Sequence, residues 1–412
     1  MSLSAQESAI VAAIDGQAAR LARISDAIHD FNELGYEEHR SSALLVSELE
    51  ALGLRVTTGA GGLATAFVAE LAGAKAGPTT AVLAEYDALP GLGHACGHNV
   101  IGAAALGAAV GLAAVRGELP GTVRIVGTPA EEGFKPNAGG KVVMFEAGVF
   151  EDVDAAMIVH PGEPFTAGGT SLARDNFRLT FRGRRPGVGA PRWDAVDSQD
   201  GLMLTHAAIN VLRQHVPPSV VIQWLIEKGG DNPNIIPIES VARLYVRAPR
   251  MDTVRAIVAR IMDCARGAAA AVGGEVEYDR HANLYDEVVP NPTLNGLFLA
   301  ALRDAGVPEQ EIAAVSPGQV THSDDTGIIS KHIPTISGRI IVGPPGLVLH
   351  TKEATIATRS PAAHRGLVVG AKCMALTAWR LAADPALLAA ARADLAAARA
   401  DLGSHPGVGL DA

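Results

Sequence analysis

Cysteine is scarce in this sequence, with three residues, at positions 96, 264 and 373, in a chain of 412. Three cysteines are too few for a disulfide framework in a chain of this size, and unpaired thiols are typical of a reducing compartment. The N-terminus also lacks the basic segment followed by an apolar run that marks a signal peptide. We therefore predict a cytoplasmic protein.

Basic charge is also in short supply, because 34 Lys and Arg oppose 44 Asp and Glu, which gives a net charge of -10. Nucleic-acid binding requires clustered Lys and Arg, and the one short basic run, at 182–185, is more typical of a solvated turn. The longest apolar stretch, from Val100 to Val115, is interrupted by glycines and is shorter than the ~20 residues of a bilayer crossing. We expect no nucleic-acid partner and no membrane span.

Hydrophobic residues make up 48% of the chain, which is enough for a large core and, at this length, for two domains. From Thr80 to His160, strand-like apolar runs alternate with helical runs, a pattern that predicts a largely parallel sheet covered by helices. From Phe177 the pattern changes to strands of period two among two helical segments, which predicts an α+β layer. We predict a catalytic domain of residues 1–172 and 289–412, interrupted by an inserted domain of residues 173–288.

Four groups of polar residues follow predicted strands, which is where open α/β sheets place their ligands. They are Cys96 with His98, Glu131 with Glu132, His160, and His350. Taken singly, each group has an ordinary alternative: a buried thiol beside a hydrogen-bonded histidine, a solvated loop with capping glutamates, or a surface or core histidine. As an ordered set, thiolate, imidazole and carboxylate indicate a site for one or two transition-metal ions, in which one of the adjacent carboxylates binds metal and the other takes a proton from water.

These motifs resemble those of the metallopeptidase-related amidohydrolases, a group that includes aminoacylases, bacterial carboxypeptidases, aminobenzoyl-glutamate hydrolases and plant hydrolases of indole-acetyl amino acids. The resemblance spans nearly the whole chain and keeps the motifs in order. It rests on residues 87–90, 94–98, 131–133, 160–161, 234–237 and 349–351.

The resemblance implies a mostly parallel-sheet α/β metallohydrolase domain with an inserted α+β, ferredoxin-like dimerisation domain, and therefore a homodimer or larger homo-oligomer that acts on a small-molecule substrate. It implies that Glu131 is the general base, that Asp87 orients the centre and that Asn234 faces the substrate. It also implies that one or two divalent ions, Mn²⁺ or Zn²⁺, are bound by Cys96, His98, Glu132, His160 and His350.

Departures from the family pattern bear on the substrate. Relatives carry a histidine in the inserted domain that polarises an amide carbonyl across the dimer, and Gly187 stands at that position here, unless a shifted alignment lets His206 or His215 replace it. His322 and Arg339 stand where relatives have glycine and often an aromatic residue, and both add polar or charged groups near the expected pocket.

The missing histidine favours a substrate without a scissile carbonyl, because loss of an oxyanion donor costs an amidase a factor of about 10² to 10³ in rate. We therefore predict a metal-dependent hydrolase of a carbon–nitrogen bond that deaminates an activated aromatic amine, such as 5-nitroanthranilate to 5-nitrosalicylate. Cleavage of N-acyl amino acids, aminobenzoyl-glutamate or dipeptides stays open as an alternative. A non-catalytic metal-binding protein on the same fold is a third interpretation, against which the intact Glu131–Glu132 pair argues.

Overall fold

The computed structural model describes residues 3–188, 191–314 and 320–404, and within them the chain divides into two compact units. The α/β unit comprises residues 3–170, 288–314, 320 and 325–404. The α+β unit comprises Ser171–Glu287 and Thr321–Asp324. Its main segment begins and ends within two residues of the predicted insertion, 173–288, whereas the sequence pattern does not predict its short second segment.

The described residues form strands and helices that we number in chain order. The strands are β1 Arg55–Thr58, β2 Phe67–Ala72, β3 Lys75–Ala84, β4 Pro120–Gly127, β5 Ala155–Pro161, β6 Phe165–Thr166, β7 Ala173–Arg182, β8 Val221–Lys228, β9 Glu239–Ala248, β10 Glu275–Arg280, β11 Ile312–Ala313 and β12 Thr335–Ile340. The α-helices are α1 Ala5–Phe31, α2 His39–Ala51, α3 His98–Ala113, α4 Gly140–Glu146, α5 Ser198–Leu212, α6 Met251–Val272, α7 Pro292–Asp304, α8 Thr326–Ser330, α9 Lys352–Ala357, α10 Pro361–Ala383 and α11 Pro385–Ser404.

The α/β unit contains an eight-stranded sheet in the order β1-β2-β4-β3-β5-β12-β6-β11. Its four central strands, β4, β3, β5 and β12, run parallel, and β2 and β1 extend it on one side as antiparallel strands. The carboxyl ends of the central strands therefore meet at one edge of the sheet. This arrangement confirms the predicted mostly parallel α/β domain.

Helix α3 is buried along almost its whole length, because its small residues let neighbouring helices approach closely. A Cβ atom on Gly107 would lie 2.7 Å from Ala371 Cβ of α10, and one on Gly111 would lie 2.8 Å from Ile14 Cδ1 of α1. Helix α10 is long and apolar enough to cross a membrane, but 78% of its most apolar window is buried in the protein. Its sequence is thus explained by packing in the core of the α/β unit.

The α+β unit contains a four-stranded antiparallel sheet in the order β10-β7-β9-β8. With α5 after β7 and α6 after β9, the chain follows a βαββαβ path, which is the ferredoxin-like arrangement that the resemblance implies. Strand β9 buries every second residue under the helices, as its alternating sequence predicts. Strand β10 is not predicted by the sequence pattern, because most of its side chains are charged and exposed and it pairs with β7 at the sheet edge.

Candidate metal centre

The predicted ligands lie at the edge of the α/β sheet where the central strands end. Asp87 follows β3, Glu131 and Glu132 follow β4, and His160 is the penultimate residue of β5. The remaining three come from loops and a helix start: Cys96 precedes α3, His98 is the first residue of α3, and His350 lies between β12 and α9. Parallel strands thus bring together residues that are up to about 260 positions apart in the sequence.

Six of the predicted residues have ligand atoms close enough to share a metal ion. Within each of three groups, all the ligand atoms lie within 4.8 Å of one another. The groups are Cys96 with His98 and His160, Cys96 with Glu132 and His350, and His98 with Glu131 and Glu132. The three groups overlap and together offer six side chains, which is enough for two ions that share ligands.

Asp87 fixes the orientation of His98, because His98 Nδ1 donates to Asp87 Oδ1 at 2.8 Å. The other ring nitrogen, Nε2, is therefore directed at the carboxylates, 3.9 Å from Glu131 Oε2 and 3.9 Å from Glu132 Oε1. Asp87 Oδ2 also accepts the backbone N–H of Glu132 at 3.1 Å. A carboxylate that orients a histidine in this way is a common partner of metal-binding imidazoles.

The other two histidines also direct a ring nitrogen at neighbouring ligands. His160 Nδ1 donates to the carbonyl of Pro161 at 2.9 Å, and its Nε2 lies 3.4 Å from Cys96 Sγ. His350 has a left-handed backbone with φ 62°, its N–H donates to the Ala95 carbonyl at 3.0 Å, and its Nε2 lies 3.6 Å from Glu132 Oε2. The His350 side chain is 52% exposed, so one side of the centre faces solvent.

Several acidic side chains are buried together in the centre. Burial, together with the nearby carboxylates of Glu85 and Glu132, holds the pKa of Glu131 well above its usual range. Burial also raises the pKa of Glu132 to about 7 and raises the pKa of the Cys96 thiol. Burial alone would lower the pKa of His98, but Asp87 and Glu85 outweigh it and hold that pKa well above its usual range. A positive charge in the centre would therefore stabilise the anionic forms of Glu131, Glu132 and Cys96.

The residues fit a divalent transition-metal ion. His98 Nε2, Glu132 Oε1 and Glu85 Oε2 are buried atoms without a hydrogen-bond partner in the described residues, and a cation between them would compensate that cost. The donor set of thiol, imidazole and carboxylate is one that Zn²⁺ and similar ions prefer.

Comparison with known proteins decides the family. The profile described as Peptidase family M20/M25/M40 matches residues 81–379. The chain belongs to this family. It is a hydrolase of carbon–nitrogen bonds, and both the predicted family and the predicted enzyme class are confirmed.

Two curated relatives of this peptidase-family member cover most of the chain. It is 36% identical to the Xaa-Arg dipeptidase of Mus musculus, over 91% of this chain and 88% of that protein. It is 31% identical to one of the subunits of the p-aminobenzoyl-glutamate hydrolase of Escherichia coli, over 91% of this chain and 92% of that protein. The crystal structure of an aminobenzoyl-glutamate utilization protein from Klebsiella pneumoniae has the same fold, with a TM-score of 0.69 at 18% identity over 88% of this chain and 98% of that one.

Three charged residues beside the centre were not singled out by sequence reasoning. Lys141, in α4, is fully buried, and its Nζ donates to Glu85 Oε1 at 2.5 Å and also to Asp325 Oδ1. The backbone N–H of Lys141 donates to Asp325 Oδ2 at 3.1 Å. Glu85 Oε2 in turn lies 3.3 Å from His98 Nε2. The sequence did offer one signal for Glu85: it directly follows a strongly apolar strand, where a carboxylate is unusual without a cation.

The remaining predicted substrate residues are placed in different units of this peptidase-family chain. Arg339 lies in β12 of the α/β unit and is 9% exposed. Asn234 is exposed between β8 and β9, and its N–H donates to Asn232 Oδ1 at 2.8 Å. His322 is exposed, and its carbonyl accepts the Leu172 N–H at 2.8 Å. Asn234 and His322 belong to the α+β unit, so their roles at the centre stay predictions.

Proposed function

We propose that this protein is a divalent-metal-dependent peptidase or amidohydrolase that cleaves the amide bond of a dipeptide or a small N-acyl amino acid. The observation that carries the proposal is Glu131, a buried carboxylate beside a cysteine, histidine and glutamate donor set at the end of the parallel sheet. The substrate class is supported by the two curated relatives, which are named for a dipeptide and for aminobenzoyl-glutamate.

In this proposal Glu131 accepts a proton from the attacking water and passes it to the leaving nitrogen. Divalent ions bound by the residues of the centre supply Lewis acidity. Asp87 positions His98 through one hydrogen bond. Through a second one, from the Glu132 N–H, it also positions the turn that carries Glu131 and Glu132. We propose two ions, Mn²⁺ or Zn²⁺, because Cys96 and Glu132 each belong to two of the three donor groups.

Replacing Glu131 with Gln tests this mechanism. The amide keeps the shape of the side chain but accepts no proton, so kcat should fall by a factor of about 10² to 10⁴. Metal content, measured on the same preparation, should stay near that of the wild type. Glu146→Gln, an exposed glutamate at the end of α4, is the matched control. Full turnover by Glu131→Gln would show that Glu131 is not the base.

Deamination of an activated aromatic amine is the second candidate, and Gly187 is the observation that favours it. A carbonyl-polarising histidine is expected at that position, and an aromatic amine such as 5-nitroanthranilate, converted to 5-nitrosalicylate, does not require one. His206, the suggested replacement, lies in α5 with its ring stacked on Trp224, centroids 5.2 Å apart. His215, the other suggestion, ends the short turn after α5.

A direct comparison of products separates the two candidates. The metal-loaded protein is assayed for ammonia release from 5-nitroanthranilate and from aminobenzoates, and for amino acid release from Xaa-Arg dipeptides and acyl amino acids. We expect amino acid release to dominate. Ammonia release from the aromatic amines alone would replace the first proposal with the second.

We propose that the protein forms a homodimer through the α+β unit and acts in the cytoplasm. Strand β8 is at the edge of its sheet and exposes Val221, Leu225 and Ile226 by 39%, 53% and 42%. Helix α5 exposes Met203 and Leu204 by 49% and 45%. An apolar edge strand is a template for pairing with a second copy. The location is supported by the free state of all three cysteines.

A further inference from the structure

Glu38 stands at the start of helix α2 but does not cap the helix with its side chain. It is the N-cap residue of α2, where an acidic side chain ordinarily accepts backbone N–H groups of the first turn, but its carboxylate makes no such bond. Glu33 caps the first turn instead: its Oε1 accepts the Arg40 N–H at 2.9 Å and its Oε2 accepts the Ser41 N–H at 2.8 Å. Glu38 is fully buried instead, with its side chain directed into the α/β unit.

Both carboxylate oxygens of Glu38 are used inside the protein. Oε2 accepts the hydroxyl of Thr65 at 2.8 Å. Oε1 accepts the backbone N–H of Ala130 at 2.9 Å. Ala130 is the residue directly before Glu131 and Glu132, so the buried carboxylate is bonded to the turn that carries the proposed base and one proposed ligand.

Ala130 has a backbone conformation that alanine rarely adopts. Its φ is 58°, in the left-handed region that is favourable only for glycine and, less so, for Asn and Asp. Such a conformation persists where surrounding contacts determine it. Here the N–H is bonded to Glu38, and the carbonyl accepts the Gly139 N–H at 2.8 Å. The turn is thus bonded on both sides of Ala130.

The segment before α2 supports the same turn by packing and by a second hydrogen bond. A Cβ atom on Gly35 would lie 2.8 Å from Ala130 Cβ, so the two backbones are in close contact. Tyr36 donates its hydroxyl to the carbonyl of Asn137 at 2.5 Å. Gly35, Tyr36 and Glu38 therefore contact the two ends of the loop 130–137.

We propose that Glu38 is a positioning residue for the reaction: by bonding the Ala130 N–H it keeps the left-handed turn that directs Glu131 and Glu132 into the metal centre. The inference rests on the proposed function in that it takes Glu131 as the base. Without the bond, Ala130 relaxes towards an ordinary conformation, and the direction of the next two side chains changes with it. A displacement of about 1 Å in a catalytic group costs on the order of 10² in rate.

The test compares Glu38→Ala with Glu33→Ala in the metal-loaded protein. Both variants remove one glutamate from the same loop, but only the first removes the bond to the Ala130 N–H. We expect Glu38→Ala to lower kcat about 10²-fold with a small change in KM, to weaken Mn²⁺ or Zn²⁺ binding by about 10-fold or more in calorimetry, and to speed hydrogen exchange in residues 128–139. Glu33→Ala should lower the melting temperature and leave all three measurements near those of the wild type.

Ala130→Gly distinguishes positioning from general loss of structure. Glycine adopts the left-handed conformation without strain, so the double variant Glu38→Ala with Ala130→Gly should recover about tenfold of the lost kcat, whereas a merely structural role of Glu38 predicts no recovery. Glu38→Gln, whose amide oxygen still accepts the N–H, should keep most of the activity. If Glu38→Ala does not fold, Glu38→Asp carries the same test, because its shorter side chain withdraws the acceptor while keeping the charge.

Unchanged hydrogen exchange and kcat in Glu38→Ala, or equal losses in Glu33→Ala, would overturn the inference. The exchange measurement needs no substrate and therefore judges Glu38 independently of the proposed reaction. A fully active Glu131→Gln would instead count against the proposed base, whatever Glu38→Ala does to exchange.

Discussion

In the α/β unit, Lys141 and Glu85 form an ion pair whose two side chains are fully shielded from solvent. In the α+β unit, Arg182 and Glu239 form an ion pair whose side chains remain 43% and 33% exposed. The exposed pair sits in high dielectric and contributes little, whereas the shielded pair carries a large desolvation cost that only good partners compensate. Charge that a fold retains in its interior, at the ends of parallel strands, therefore marks the place where chemistry is expected.

Metal removal should have the largest effect, and it should be confined to the α/β unit. Chelation should abolish turnover, and adding back Mn²⁺ or Zn²⁺ should restore it. Ions present at about a thousand times their Kd stabilise the folded state by about 4 kcal/mol, so hydrogen exchange in the α/β unit should quicken on chelation while exchange in the α+β unit stays the same. Unchanged turnover in the stripped protein would refute the metal centre.

Removing the buried cation should have the next largest effect. Lys141→Met leaves Glu85 and Asp325 buried without their shared counter-charge, so the free energy of unfolding should fall by about 3–5 kcal/mol. The matched change in the α+β unit is Arg178→Met, which removes the partly exposed partner of Glu227 and should cost less than about 1 kcal/mol. Urea denaturation of both variants measures the difference. Equal losses of unfolding free energy in the two variants would mean that burial does not make the Lys141 ion pair more important for stability than the Arg178 ion pair.

A change on the edge strand should separate the protomers without unfolding them. Leu225→Lys places a charge on the exposed edge of β8, which blocks strand pairing, so light scattering should report the mass of a monomer while the melting temperature changes little. Ile238→Lys, a similarly exposed apolar residue of the same unit, is the control and should stay dimeric. A Leu225→Lys protein of unchanged mass would place the proposed interface elsewhere.

Local sequence patterns predicted the elements whose burial is periodic. Helix α6 is one of the two helical segments predicted among the strands of the inserted domain, because its apolar stripe is regular and Gly273, with φ 75°, ends it. The proposed ligands were found because each residue type is chemically distinctive, and Glu132 and His160 also stand near the end of an apolar strand. The structure brings their side chains together, while their roles stay predictions.

Partnerships across long sequence distances were not predictable in this way. Lys141 and Asp325 are 184 positions apart, and the sequence around either residue does not predict the other as its partner. Glu38 stands at a helix start, where its sequence context predicts a cap, and its bond to Ala130 depends on the tertiary packing of two loops 92 positions apart. The sequence pattern identifies which residue types can do chemistry, but the buried charges that support them become visible only in three dimensions.

The smallest effect concerns pH, and it should have opposite signs in the two units. Burial, with the neighbouring Asp87, raises the pKa of Glu38 to about 7 from an ordinary 4.5. The folded protein then holds this proton more tightly than the unfolded chain does. Protonated Glu38 therefore contributes fully to the free energy of unfolding below about pH 4.5, and this contribution is lost as the pH rises through about 7.

Glu227 of the α+β unit should behave in the opposite way. Burial acts to raise its pKa, but Arg178 and Arg243 outweigh burial and hold the pKa below its usual range. Its contribution is present above the ordinary glutamate pKa and is lost as the pH falls through the lowered value. Urea denaturation of the chelated protein from about pH 3 to about pH 8 measures both effects. Glu38→Gln should reduce the loss of stability on the neutral side, and Glu227→Gln should reduce the loss on the acid side. If Glu38→Gln still loses stability between about pH 4.5 and about pH 7 as the wild type does, the group that titrates there is a metal-site carboxylate and not Glu38. Glu132 is such a group, because burial raises its pKa to about 7 as well.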